Sequence, residues 1–103
     1  MENNLQRFNA LREKAKTTAR ETMTITDFEA PQMGVIRILG LNRPSTKNAI
    51  SKQLLKDLDE QVESIHAQGS SGDVRVLIIA SEDDNVFCAG ADLKERRDMS
   101  HAE

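Results

Sequence analysis

The chain has no tryptophan, no tyrosine and only three phenylalanines among 103 residues. It therefore lacks most of the aromatic platforms on which single-stranded nucleic acid is usually stacked. Its one cysteine, Cys88, excludes an internal disulfide framework and fits a reducing compartment. No apolar run approaches the roughly 18 residues of a membrane-spanning helix. Charge of one sign is also scarce: the net charge of −3 gives no general attraction to nucleic acid or anionic membranes. What is present is a modest apolar fraction of 38% against 30% charged residues, enough for one small domain with little room for two.

The first 21 residues differ from the rest. Arg7, Arg12, Lys14, Lys16 and Arg20 make them basic, and Leu5, Phe8 and Leu11 fall on one helical face. An organelle transit sequence has this character, but Glu2, Glu13 and Glu21 count against it. The alternative is a surface helix or a frayed leader. From Thr22 the pattern turns to strands. The β-branched run 22–28, the turn at 30–34 and the apolar run 35–41 predict a hairpin with a five-residue connection. The polar segment 42–48 contains Pro44 and must lie outside the strand.

A helix is expected next. Ile50, Leu54, Leu55, Leu58, Val62 and Ile65 form an apolar stripe, with Lys52, Lys56, Asp57, Asp59, Glu60 and Glu63 on the other side. Ser51 or Asn48 suits its cap and Gly69 its stop. The run Val74–Ala80, broken only by Arg75, predicts a strand covered on both faces. Strand, helix, strand in this order implies parallel pairing through a crossover. The fold class expected is α/β.

The segment Phe87-Cys-Ala-Gly-Ala-Asp-Leu-Lys-Glu95 follows that strand. It reads as a tight turn leading into a helix. Gly90 suits a backbone conformation closed to other residues, and Ala89 and Ala91 leave room for a ligand against the backbone. Backbone N–H groups at such a turn have no partner inside the helix and can meet a ligand oxygen. Asp92 and Glu95 have capping-box spacing. This is the geometry of half an oxyanion hole. Simpler readings apply to the neighbours. Asp92 is first a helix cap. Cys88 has no histidine arranged to activate it. His66 and His101 stand alone near helix ends, and Asp83 with Asp84 has no third ligand for a metal.

Leu41-Asn-Arg-Pro44, Lys47-Asn-Ala-Ile50, Val76-Leu-Ile-Ile79 and the Phe87–Glu95 segment occur in the order and spacing of the enoyl-CoA hydratase/isomerase, or crotonase, family. The chain resembles that family over about residues 22–103. The resemblance implies the ββα spiral of crotonases, represented by its first turns: a hairpin, a long helix, a buried parallel strand and the start of the next helix. It implies that the Ala91 N–H helps hold the thioester oxygen of an acyl-CoA. It implies that Lys47, Asn48, Ala49, Ala89, Gly90, Asp92, Leu93 and Lys94 line the CoA cleft, with Lys47 and Lys94 near CoA phosphates. No cofactor is expected beyond the coenzyme A of the substrate, and no metal.

The same resemblance implies a homotrimer or hexamer for a full-length member and a mitochondrial or cytoplasmic setting. The second oxyanion N–H and the hydratase carboxylates of the family come later than Glu103, so the chain alone is expected to be catalytically incomplete. Two other readings remain. One is a truncated, non-catalytic member acting through acyl-CoA or subunit binding. The other is RNA binding, since some members bind RNA through a lysine-rich helix matching the one near Ser51. Here that helix carries four acids against two lysines, which disfavours phosphate contact.

Overall fold

The computed structural model describes residues 15–97. A four-stranded sheet runs in the order β1 (Lys16–Ala19), β2 (Met23–Ala30), β3 (Gly34–Leu41), β4 (Val74–Ser81). The first three strands are antiparallel, and β3 pairs with β4 in parallel. Between β3 and β4 the chain makes a 3-10 turn at Pro44–Thr46 and the helix α1 (Lys52–Gln68). A short helix, α2 (Leu93–Arg97), ends the described part.

The hairpin forms where the β-branched and apolar runs place it. Alternation sets its register: Met23 faces Leu41, Ile25 faces Leu39 and Asp27 faces Arg37, so these six side chains share one face. The helix covers that face. Met23, Leu39, Leu41 and Leu54 form the buried cluster, with Ile25, Leu58, Leu77 and Cys88 packed around it. The turn is tighter than the sequence implies. Ala30 and Gly34 already pair as strand residues, and the Met33 N–H closes the turn on the Ala30 carbonyl at 2.9 Å.

The strand β1 corrects the reading of residues 16–19, the part of the 1–21 segment it covers. Lys16–Ala19 is not helical but pairs with Thr24–Asp27. Its four residues are exposed, so no apolar signal marked it. Edge pairing satisfies its backbone on one side only, and a single exposed strand carries little pattern. The face made by Leu5, Phe8 and Leu11 lies outside the described residues.

Helix α1 begins at Ser51. Its hydroxyl accepts from the Leu54 N–H at 3.1 Å, and its backbone is extended as an N-cap requires. Gly69, at φ 57°, turns the chain out of the helix, and its N–H bonds the His66 carbonyl. Because Ser51 is buried, its loss strands the Leu54 N–H away from water. Ser51→Ala is expected to lower unfolding free energy by about 0.5–2 kcal/mol. Urea titration checks this, and an unchanged midpoint would remove the cap from the account.

The apolar stripe of α1 is not buried as a unit. Leu54 is fully buried, Leu58 and Ile65 are half-buried, and Leu55 and Val62 are exposed. The face against the sheet is instead Leu54, Asp57, Leu58 and Gln61. Asp57 and Gln61 are buried because each has a partner there. The Asp57 carboxylate accepts from the Thr22 hydroxyl at 2.5 Å and the Gln53 amide at 2.9 Å. Gln61 accepts from Arg37 at 3.4 Å, and Arg37 holds Asp27 in a two-bond ion pair at 2.8 and 3.0 Å. The hydrogen bond to Asp27 raises the Arg37 pKa above its ordinary value, so this guanidinium stays charged wherever the protein folds.

The cover that β4 calls for on both faces is incomplete among the described residues. Val76, Ile78 and Ile79 are 47, 43 and 44% exposed. Among the described residues β4 has one strand neighbour, and one helix lies over the sheet, on the face centred on β2 and β3.

Candidate functional site

The sheet and helix bring two loops side by side. The first runs from Arg43 to Ile50, between β3 and α1. Lys47 and Asn48 both have positive φ there, at 53° and 58°. Asn48 tolerates this conformation, and its side chain is fully engaged. Its Oδ1 accepts from the Arg43 N–H at 2.7 Å, and its Nδ2 donates to Ser81 Oγ at 2.9 Å and to the Phe87 carbonyl at 3.0 Å. Asn48 is thus a buried brace between this loop, the end of β4 and the turn that follows.

The second loop is that turn. It lies alongside the first as a short parallel ladder. The Ala89 N–H bonds the Lys47 carbonyl at 3.0 Å, the Ile50 N–H bonds the Gly90 carbonyl at 2.7 Å, and the Asp92 N–H bonds the Ile50 carbonyl at 3.0 Å. The middle bond fixes the peptide between Gly90 and Ala91. That peptide is trans, so its carbonyl and its N–H point in opposite directions. With the Gly90 carbonyl on Ile50, the Ala91 N–H is turned away from the neighbouring loop. Among the described residues nothing accepts its hydrogen. Gly90 allows this arrangement by taking φ 98°.

Ala91 lies in an open depression of about 470 Å³ lined by Thr46, Ala49, Ala89, Ala91, Asp92 and Leu93. The structure therefore gathers Ala49, Ala89, Ala91, Asp92 and Leu93 from the sequence analysis into one surface. Gly90 shapes that surface without lining it. Asn48 lies behind it and lines a separate depression with Asn42, Pro44 and residues 82–85. Lys47 and Lys94 are exposed and lie outside the lining.

The capping box is half formed. Asp92 Oδ1 accepts from the N–H groups of Lys94 and Glu95 at 3.1 and 3.2 Å, as a cap should. Glu95 does not return to Asp92, whose N–H is taken by Ile50. Its carboxylate instead accepts from the Lys52 N–H at 2.6 Å, at the start of α1. Helix dipole and hydrogen bond both favour an acid there. Arg43 was visible only as part of the Asn-Arg-Pro sequence. Its guanidinium donates to the Ala49 carbonyl and pairs with Asp92 Oδ2 at 3.4 Å. A cation so far from its partner in sequence gave no local signal. Cys88 is half-buried, and its thiol bonds the Asn48 carbonyl at 3.2 Å. Among the described residues no three of His, Cys, Asp and Glu gather to hold a metal ion.

Residues 29–103 match the family model described as enoyl-CoA hydratase/isomerase. The chain belongs to this family. It is 53% identical to an enoyl-CoA isomerase/hydratase of Zymoseptoria tritici, over 73% of this chain and 24% of that protein. It is 42% identical to methylglutaconyl-CoA hydratase 1, mitochondrial, of Pyricularia oryzae, over 77% of this chain and 30% of that one. The crystal structure of an enoyl-CoA hydratase from Bacillus anthracis superposes with a TM-score of 0.62 at 28% identity, covering 80% of this chain and 29% of that chain. The chain thus spans about a third or less of the proteins it matches, and its fold is the N-terminal portion of the crotonase α/β spiral.

Proposed function

We propose that this chain forms the first wall of an acyl-CoA site in an enoyl-CoA hydratase, with the Ala91 N–H as one donor to the thioester oxygen. The observation that carries this is the fixed Gly90–Ala91 peptide, with its carbonyl tied to Ile50 and its N–H unpartnered. Water adds across the double bond of an enoyl thioester by attack at the β-carbon. Negative charge then develops on the thioester oxygen as an enolate forms. A donor already aimed at that oxygen stabilises the charge without reorganising, and losing one such donor costs about 10²–10³ in rate. The depression beside Ala91 is lined in part by Ala49, Ala89 and Ala91, whose small side chains let a thioester lie close to the backbone. In this reading Lys47 and Lys94, both exposed, are the cations that meet the CoA phosphates.

The relatives' names include both hydratase and isomerase. Both chemistries pass through an enolate and need the same donor, and they differ in the carboxylates that move protons. The two carboxylates nearest the turn are committed elsewhere, Asp92 to capping and Arg43, Glu95 to the Lys52 N–H. In this reading the 103 residues bind and polarise a thioester but do not hydrate it by themselves. The substrate is an enoyl-CoA such as methylglutaconyl-CoA, the coenzyme A of the substrate is the only cofactor, and the full-length protein is a mitochondrial homotrimer or hexamer.

An RNA role finds little support. Asp57 is buried, but α1 still exposes Asp59, Glu60 and Glu63 against Lys52 and Lys56. No helix among the described residues is long and apolar enough to cross a membrane.

Calorimetric titration tests the proposal. Butyryl-CoA, an unreactive thioester, is expected to bind more tightly than free CoA. Equal affinity for the two would remove the thioester contact from the reading. Loss of enoyl absorbance when crotonyl-CoA is added to the chain would show that the 103 residues do carry hydratase chemistry.

A further inference from the structure

We infer that Arg43 is a positioning residue, the clamp that holds the Ala91 peptide in its donor orientation. The inference rests on the acyl-CoA reading for its catalytic meaning, but the clamp itself is visible in the unliganded protein. Arg43 reaches both loops of the site. Its guanidinium donates to the Ala49 carbonyl on one loop and pairs with the Asp92 carboxylate on the other. Ala49 precedes Ile50, and Asp92 follows Ala91. The two attachments therefore flank the Ile50–Ala91 bridge, whose bond from the Ile50 N–H to the Gly90 carbonyl sets the direction of the Ala91 N–H.

The rest of Arg43 is anchored as well. Its N–H donates to Asn48 Oδ1, and its carbonyl accepts from the N–H groups of Asn48 and Thr46. The Arg43 and Asp92 side chains are only 20 and 12% exposed. A pair so shielded loses less to solvent screening than a surface pair. A guanidinium serves this task better than an ammonium group, because its fork can meet a carbonyl and a carboxylate at once. The ladder is only a few bonds long and its loops have no other ion pair among the described residues. Asn48 and Cys88 also join the loops, through the Phe87 and Asn48 carbonyls, but they act at the other end of the ladder, whereas Arg43 attaches beside the Ile50–Ala91 bridge.

Two measurements on the whole chain test this. The first is amide hydrogen exchange by NMR, without ligand. In Arg43→Met the Ile50 and Asp92 amides are expected to exchange about 10-fold faster, as for loss of one charge-assisted hydrogen bond. The Leu39 amide, deep in the sheet, should not change, which shows that the fold is intact. Arg43→Lys is expected to restore part of the protection, since an ammonium reaches one acceptor. Unchanged exchange of Ile50 and Asp92 in Arg43→Met overturns the clamp.

The second measurement is the infrared carbonyl stretch of butyryl-CoA labelled with carbon-13 at the thioester. The wild type is expected to lower this frequency, and Arg43→Met is expected to lose most of the lowering while free CoA binds within about 2-fold of wild type. A merely structural arginine would weaken both ligands alike. A full frequency shift in Arg43→Met overturns the proposal. A wild-type chain that gives no shift at all instead overturns the acyl-CoA reading, and the exchange measurement still decides the clamp.

Discussion

Replacing Gly90 with valine is expected to abolish the thioester contact while leaving the protein folded. Gly90 holds φ at 98°, a region that a β-branched residue does not enter without strain of about 1–3 kcal/mol. Space is not the obstacle, because a side-chain carbon at this position meets nothing within 4 Å. The strain is relieved by rotating the peptide. Rotation takes the Gly90 carbonyl off Ile50, and the Ala91 N–H loses its direction with it.

The butyryl-CoA carbonyl shift is therefore expected to vanish in Gly90→Val. In a longer protein carrying this segment, the hydration rate should fall by about 10²–10³. Gly90→Ala, with room to spare and less strain, should fall between valine and wild type. Steady-state kinetics and the carbonyl stretch both read the effect. A Gly90→Val protein with wild-type rate and shift would show that the Ala91 N–H does not meet the thioester.

Leu54→Ala is expected to be the most destabilising single truncation. Leu54 is completely buried, and its neighbours Met23, Leu39 and Leu41 form nearly all of the fully shielded apolar core among the described residues. Removing three carbons from such a site costs about 2–5 kcal/mol, from lost transfer energy plus the cavity left behind. Single domains hold only about 5–15 kcal/mol in total, and this core is small. Leu54→Ala should therefore leave a large part of the chain unfolded at room temperature.

Leu55 provides the internal control. It stands next to Leu54 on the sequence stripe but is 59% exposed, so Leu55→Ala should change stability by no more than about 0.5 kcal/mol. Urea denaturation of the two variants separates them. Equal losses would mean that the helix packs on a different face.

The hairpin, the long helix, the parallel strand and the turn at Gly90 were legible because each is written in local pattern. A β-branched run marked β2 and an apolar run marked β3, the three- and four-residue spacing marked α1, and Ser51 and Gly69 marked its ends. The family resemblance then joined Asn-Arg-Pro to the Ala89–Asp92 turn. Strand β1 was not legible, because four exposed residues with one pairing edge leave no periodicity to read. The orientation of α1 was misread for a different reason. Hydrophobicity placed Leu55 and Val62 inward with Leu54. The helix instead buries Asp57 and Gln61, whose partners lie far away in sequence, Thr22 just before β2 and Arg37 on β3. A buried polar group is stabilised only by a partner, and the partner is invisible until the chain is folded.

By itself the sequence determined which segments become strands and helix, and that Gly90 takes a conformation other residues avoid. It also determined the family, because residue order along the chain carries the resemblance. Only the tertiary structure decided which way the Ala91 N–H points, since that direction follows from a hydrogen bond to Ile50, forty residues earlier. It also decided that Arg43 ties Ala49 to Asp92 and that Glu95 caps α1 rather than its own helix. Local structure depends on residues a few positions apart. A site depends on groups brought within about 3 Å by packing, and hydrogen-bond geometry at that range is set by the whole fold.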